Sequence, residues 1–493
     1  MKKAKKLISA LLGLCLTVSG LTAIPVNAKG IQGDIDASGK LGVTDLIALR
    51  RWLANPNEFS GWYYSTMYQW DCADLNGDGK LNVIDLALMK QKLTSNIQNL
   101  NPIFTANNLM ASITAESAQG KDADENFIHN QTEFYLNLIR KTAKDGTNTL
   151  VSPYSLVQCL GMVANGADGQ TLAEMQNVLG GGMLIDELNQ YLYAQSENQP
   201  HQDGCKFLTS NSIWFRDDQP IAKDFLQTNA NYYHADAFSV QDFGQQTVND
   251  VNKWTASKTD NMIPHLVDAF DGSTVMALIN AVTFDADWKQ EYAWANEVDN
   301  WFTAYDGTKQ KASVLSSSDL PYEHAEEYYL SDEHSTGFLK YYTDGRYAFA
   351  AILPEEGMTT TEYLSTLTAN SLHNMLANPE HVNVRTAMPE FSYEYEVQLP
   401  EILSEMGMPN MFTGGLNRMT DGDNNYFVST VMQKTFIDVN KKGTKAAAAT
   451  MAVIAESMTF TDKEVICNRP FVYCIVDTET SLPMFIGTVE TLN

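Results

Sequence analysis

The sequence predicts an α+β chain in which a large domain of mixed helix and strand follows a small all-α module. Two observations predict this division. Near the N-terminus one acidic loop pattern occurs twice, each time ahead of a short amphipathic segment. From Asn126 to the end, helical and strand patterns alternate without a second boundary. At 493 residues the chain has room for one very large domain or two to three ordinary ones.

Residues 1–28 read as a secretory signal. Lys2, Lys3, Lys5 and Lys6 form its positive region, Leu7 to Val18 its apolar run, and Val26-Asn27-Ala28 a small-residue cleavage site. The apolar run is short and broken by Ser9, Gly13 and Thr17, which disfavours a membrane anchor. Export of the protein is expected. A net charge of −27 disfavours nucleic acid and anionic membrane as partners.

Cys15 leaves with the signal, so the mature chain keeps Cys72, Cys159, Cys205, Cys467 and Cys474. The number is odd and no spacing suggests a zinc site. Cys467 and Cys474 flank one predicted strand of roughly 23 Å and cannot bridge within it. Free buried thiols are expected.

The repeated loop is Asp34-Ile-Asp36-Ala-Ser38-Gly39-Lys40-Leu-Gly42-Val-Thr-Asp45, then Asp74-Leu-Asn76-Gly-Asp78-Gly79-Lys80-Leu-Asn82-Val-Ile-Asp85. Oxygen ligands fall at positions one, three, five and twelve, with glycine at six for the sharp turn, as in a calcium loop of EF-hand type. The backbone carbonyls of Lys40 and Lys80 complete the sets. Asn82 serves at position nine of the second loop, and water replaces the ligand that Gly42 cannot supply in the first. Two Ca²⁺ ions are expected. Helices are expected after the loops, over Leu46 to Leu53 and Leu86 to Leu93.

One helix per loop, with aspartate at position twelve, resembles a dockerin module, here spanning residues 29–98. That resemblance implies a cohesin module of a scaffoldin as partner, and with it a place in a cellulosome-type extracellular complex. Its contact residues would be Val43, Thr44, Arg50 and Arg51 in the first repeat, and Val83, Ile84, Lys90 and Gln91 in the second. Residues 99–125 read as a linker, leaving 126–493 as the large domain. There, apolar alternation marks strands at Lys206 to Phe215 and Val275 to Phe284, and an Ala/Leu-rich helix covers Ser155 to Ala164.

Residues 443–459 carry two readings. Four consecutive alanines and no internal breaker favour a helix. As a strand, the same stretch would place Thr444, Ala446, Ala448, Thr450, Ala452 and Ile454 on one small, uncharged face that could enter a sheet. The flanks resemble the serpin family. Gly443-Thr444-Lys445 with Ala446, Ala447, Ala448, Ala449 and Thr450 is similar to the proximal hinge of a reactive-centre loop. Asn468-Arg469-Pro470-Phe471 and Leu482 to Gly487 are similar to the C-terminal strands. Asn148 to Leu156, Asn211 to Trp214, Leu278 to Phe284, and Met388 to Phe391 resemble further blocks.

The resemblance implies a large, mostly antiparallel central sheet with further sheets and about eight or nine helices. It also implies suicide-substrate inhibition of a serine protease: acylation in the exposed loop, then insertion of the loop as a new central strand, with a covalent complex as the product. Spacing in the family places the scissile bond at Ser457-Met458, a sequence suited to subtilisin- or elastase-like targets, with papain-like cysteine proteases as an alternative. Ser152, Ser155 and Asn280 match the family's shutter, and Trp288 its breach. The inhibitor domain is expected to be monomeric. Three departures stand out: Lys441 replaces the usual glutamate before the hinge, Lys445 another common acid, and Gln433 a histidine often found at the shutter. Lys441 and Gln433 keep open a non-inhibitory, binding role. No enzyme motif competes.

Overall fold

The structure is a computed structural model that describes residues 32–36, 41–54, 72–75, 80–98, 104–199, 201–202, 204–218, 220–292, 295–317, 328–421, 426–444 and 463–492. The chain divides into two compact units, Met1–Ile103 and Phe104–Asn493. No helix among the described residues is long and apolar enough to cross a membrane. The expected signal at 1–28 lies outside the described residues.

In the small unit, helices α1 (Val43–Ala54) and α2 (Val83–Gln98) follow the two loops. Each carries an aspartate at its third position. Asp45 Oδ2 accepts from Gly42 N at 2.7 Å and Asp85 Oδ2 from Asn82 N at 2.9 Å. In the second repeat Asn82 Oδ1 returns the contact, accepting from Ile84 N at 2.8 Å, which makes a reciprocal cap. Ile35, Ala48, Leu49, Ala73, Met89 and Leu93 form a shared core. Gly33 N donates to Cys72 O at 2.9 Å, joining the two repeats.

The large unit contains nine α-helices among its described residues: α3 (Glu125–Thr142), α4 (Pro153–Ala164), α5 (Gly169–Gly180), α6 (Ile185–Glu197), α7 (Lys223–Tyr233), α8 (Gln245–Lys258), α9 (Thr360–Thr366), α10 (Ala369–Ala377) and α11 (Pro400–Glu405). Their starts follow from sequence. Asp124 caps α3 by accepting from Phe127 N. Ser152 caps α4 ahead of Pro153, whose missing N–H costs nothing at a first helical position.

The strands form three sheets. The main sheet runs β1 (Asn107–Asn108), β5 (Asp236–Val240), β4 (Cys205–Arg216), β6 (Met276–Asp287), β16 (Gly443–Thr444), β15 (Thr430–Val439) and β14 (Phe391–Gln398), with β3 (His201–Gln202) paired to β4. A second sheet is ordered β12 (Glu380–His381), β9 (Tyr328–Ser331), β10 (Ser335–Tyr341), β11 (Tyr347–Pro354), β18 (Phe471–Asp477), β19 (Leu482–Val489) and β2 (Thr149–Val151). The third is β17 (Lys463–Ile466), β13 (Val384–Pro389), β8 (Lys309–Ser316) and β7 (Ala295–Thr303).

Both faces of β6 are covered. Met276, Leu278 and Val282 face the principal core, while Ala277, Ile279 and Ala281 face a second core that contains Trp254 of α8. The period-two alternation of the sequence therefore separates two cores. Cys72, Cys159, Cys205, Cys467 and Cys474 are all buried, and none forms a disulfide among the described residues. Burial pushes the thiols of Cys159, Cys467 and Cys474 up to about 12, so they remain protonated and unreactive.

Within residues 99–125, which read as a linker in sequence, Phe104 to Asn108 pack on the large unit. Asp250 Oδ2 accepts from Thr105 N (2.8 Å), Thr105 Oγ1 (2.6 Å) and Ala106 N (3.0 Å). The Phe104 ring lies 5.5 Å from that of Phe238, and β1 pairs with β5. Asp250 is fully buried on α8, and these bonds satisfy its carboxylate. Nothing local in Phe104 to Ala118 signals a partner more than a hundred residues away.

Candidate functional site: a sheet held open at its top

The site is the junction of β6 and β15. In their lower parts the two strands pair in parallel, from Thr430↔Ala277 to Lys434↔Ala281. At the top, Gly443 and Thr444 stand between them, with Thr444 opposite both Ala286 and Val439. Among the described residues, Val282 to Asp285 of β6 have no strand partner on that side.

Gly443 is required by close approach. A Cβ there would lie 2.1 Å from the carbonyl oxygen of Ala286, too near for any side chain. Thr444 is 1% exposed, and its Oγ1 lies 2.6 Å from the hydroxyl of Tyr342. Burial pushes the Tyr342 phenol well up, partly offset by this hydrogen bond, so it stays protonated. Tyr342 stacks on Trp288 at 4.6 Å, and Trp288 Nε1 donates to Asn440 O at 2.9 Å.

The preceding turn is held through its backbone. Trp288 N donates to Lys442 O (2.7 Å), Tyr292 N to Lys441 O (2.9 Å), and Lys441 N to Glu390 Oε1 (3.1 Å). Basic side chains at 441 and 442 are therefore compatible with the turn.

Below the opening lies a buried polar network. Gln433 accepts from Ser152 N (2.9 Å) and donates to Ser152 O (3.0 Å) and Asn280 Oδ1 (2.8 Å). Asn280 Nδ2 donates to Ser155 O (3.1 Å), Ser155 Oγ and Asn211 Oδ1 (2.6 Å). Ser155 Oγ bonds Thr209 Oγ1 at 2.8 Å, and Ser152 Oγ donates to Met484 O at 2.8 Å. The structure thus brings together Ser152, Ser155 and Asn280, and sets Trp288 against the hinge. Gln433, a departure in sequence, makes three bonds at their centre. Asn211 was marked in sequence only as part of a family block, and Tyr342, Tyr292, Glu390 and Thr209 were not assigned a role there, because only the fold brings them here. Lys445, Ala446, Ala447, Ala448, Ala449 and Thr450, and the expected scissile pair Ser457-Met458, lie outside the described residues.

In the small unit, single oxygens of Asp34, Asp36 and Asp45 all lie within 4.8 Å of one another, with Asp34 and Asp45 buried. Ligands about 2.4 Å from a common Ca²⁺ ion fall within that span, and hard carboxylates suit it. Asp45 also accepts from Ile35 N (2.7 Å) and Asp36 N (3.0 Å), which folds the loop around the position. In the second loop Asp85 accepts from Leu75 N at 2.9 Å and is buried, Asp74 is half-buried and Lys80 exposed. Ser38, Lys40, Asn76 and Asp78 lie outside the described residues. On the helices, Thr44, Arg50, Arg51 and Lys90 are exposed, as are Val83 at 72% and Ile84 at 54%. The side chains of Val43 and Gln91 are not described.

Comparison with known proteins agrees with this arrangement. A family model described as serpin (serine protease inhibitor) matches residues 129–492. The chain belongs to the serpin family. A second model, the type I dockerin domain, matches residues 32–94, so this serpin carries a dockerin at its N-terminus. The thermophilic serpin tengpin in its native state superposes with a TM-score of 0.74 at 38% identity, covering 78% of this chain and all of tengpin. Tengpin in its latent state gives 0.66 at 37% identity, so the native form is the better match. Intracellular coagulation inhibitor 2 of Tachypleus tridentatus is 27% identical over 384 residues, covering 75% of this chain and 91% of its own. Human neuroserpin is 26% identical over 394 residues, covering 76% of this chain and 94% of its own. Serpins are protease inhibitors rather than enzymes, and dockerins in general bind calcium and cohesins.

Proposed function

We propose that this serpin is a suicide-substrate inhibitor of serine proteases. In this reading the protease attacks at Ser457-Met458 and is acylated by Ser457, and the freed loop enters the main sheet as a new strand. The observation that carries the reading is the placement of Gly443 and Thr444 as the first rungs of that strand.

Both pairing registers extend to the same prediction. Continuing from Thr444, positions 445 to 448 fill the unpaired stretch opposite Asp285 to Val282, and Ala449 meets the first existing pair, Lys434↔Ala281. Thr450 then falls between Asn280 and Gln433. Because Thr444 points inward, Ala446, Ala448 and Thr450 share its face. All three are small and uncharged, so this part of the strand buries no charge; Glu456 shares the face only at the far end, near the sheet margin. Lys445 falls on the opposite face. New backbone hydrogen bonds and buried surface favour the inserted state, which makes the native state kinetically protected.

The dockerin serves to place the inhibitor on a cohesin-bearing scaffoldin outside the cell, where it protects a multienzyme complex from proteolysis. Export rests on residues 1–28. The small unit would hold two Ca²⁺ ions through the loop residues named above, and the inhibitor domain acts as a monomer.

The test is incubation of the full chain with subtilisin, elastase and papain, followed by denaturing electrophoresis and mass spectrometry. A denaturant-stable adduct with subtilisin or elastase, and release of the peptide beginning at Met458, is expected. Loop cleavage without an adduct would overturn inhibition and leave a binding role.

A further inference from the structure

The opening between β6 and β15 carries charge on its outer face. Thr444 stands opposite Ala286 and Val439, and all three are buried on the inner face. One residue further into the opening, β6 presents Asp285 and β15 presents Asp438. Side chains alternate along a strand, so both carboxylates lie on the outer face, and both are half-buried. Their neighbours on the far sides differ. Asp285 is paired across to Lys206 of β4, whose Nζ lies 3.2 Å from Asp260 Oδ2. Asp438 is paired across to Ser392 of β14, and Asn440 Nδ2 lies 3.5 Å from its Oδ2.

A strand that enters the opening passes between these two carboxylates, with its Cβ about 5 Å from that of each neighbour. The chain itself decides which residue arrives there. Thr444 is already paired on both sides, so the next position is that of Lys445. Directly opposite charges on adjacent strands stabilise a sheet, and like charges destabilise it. An acid at 445 would put three carboxylates in a row across adjacent strands. A lysine answers both, since its ammonium is a compact charge on a flexible stem. The lysine that departs from the family's common acid is therefore matched by the strands it enters.

We propose that Asp285 and Asp438 together receive Lys445 as the loop inserts, so that a double ion pair fixes the first new rung of the strand. This rests on loop insertion as proposed above. Lys445 is then a positioning residue: trapping requires insertion to outrun hydrolysis of the acyl bond, and the two carboxylates favour the step that begins it.

The full chain is incubated with subtilisin and elastase, and cleaved and trapped forms are measured by gel densitometry. Lys445→Arg keeps the charge and should match the wild type. Lys445→Glu should raise the ratio of cleaved to trapped protein about tenfold. Adding Asp438→Lys to Lys445→Glu reverses the pair and should restore most of the trapping. If that double variant fails to fold, the contrast between Lys445→Arg and Lys445→Glu still decides. Equal ratios for Lys445→Glu and the wild type, or equal losses for arginine and glutamate, overturn the inference. So does a folded double variant that traps no better than Lys445→Glu. A wild type that forms no adduct overturns the inhibitory reading itself, and this inference with it.

Discussion

Gln433 of β15 donates a 2.8 Å hydrogen bond to Asn280 of β6, directly across the parallel pair that an inserting loop must part. Gln433 also holds Ser152 at the start of α4 through two bonds, so one amide closes the sheet and ties it to the helix beneath. Gln433→Ala leaves buried partners unpaired, at about 1–3 kcal/mol each. A lower denaturation midpoint is expected, together with faster spontaneous loss of inhibition on warming. Refolding equilibria and timed activity assays measure the two effects.

The hinge tolerates little change. Gly443→Val places a side chain against the carbonyl of Ala286, and Thr444→Arg places a charge against buried Tyr342. Either variant should convert the inhibitor towards a substrate. The ratio of cleaved to trapped serpin would rise about tenfold or more, a shift that needs only ~1.4 kcal/mol between the two routes. Gel densitometry of the two products reads it directly.

Asp250 anchors the segment that precedes α3. Asp250→Ala removes the acceptor of three bonds, and Phe104 to Asn108 should then separate from β5. Cleavage by a broad-specificity protease in residues 104–118 is expected to quicken, with a stability loss of about 1–3 kcal/mol. Unchanged cleavage would show that the aromatic contact alone holds the segment.

Glu490 is a buried carboxylate whose pKa is raised, chiefly by burial, while hydrogen bonds from Thr360 and the Gly146 amide act against that shift. A carboxylate with a raised folded pKa favours the folded state most below its unfolded value, and that contribution is lost as pH rises through the folded pKa. Glu490→Gln should therefore flatten the pH dependence of stability above about 4.5 and be relatively more favourable at neutral pH. Denaturant midpoints measured at pH 4 and pH 7 for both proteins check the sign.

Calcium removal should affect only the small unit. A chelator, or Asp45→Ala, is expected to lower helical content at α1 and α2 and to abolish cohesin binding. Adduct formation by the large unit should persist. Circular dichroism and the electrophoretic assay separate the two effects.

Much of this organisation was legible in the residues. The repeated acidic loops are local patterns, and Asp45 and Asp85 cap the helices that follow them. The strands at 206–215 and 275–284 and the helix at 155–164 announced themselves through periodicity, because burial on one or both faces is written into neighbouring residues. Gly443 and Thr444 were marked in sequence by resemblance, and they stand between β6 and β15.

Tertiary structure decided the rest. Alanine propensity favoured a helix from residue 443, yet Gly443 and Thr444 are strand, because two open sheet edges and Tyr342 offer them bonds that isolated chain lacks. Gln433 read in sequence only as a departure at the shutter, and the fold gives its amide three bonds to Ser152 and Asn280. Residues 99–125 read as linker because polar and small residues carry no periodicity, while α8 and β5 supply what holds Phe104 to Asn108. Sequence determines which segments can form each structure. Contacts between residues far apart in the chain decide which form is taken, since the energy of those contacts outweighs local propensity.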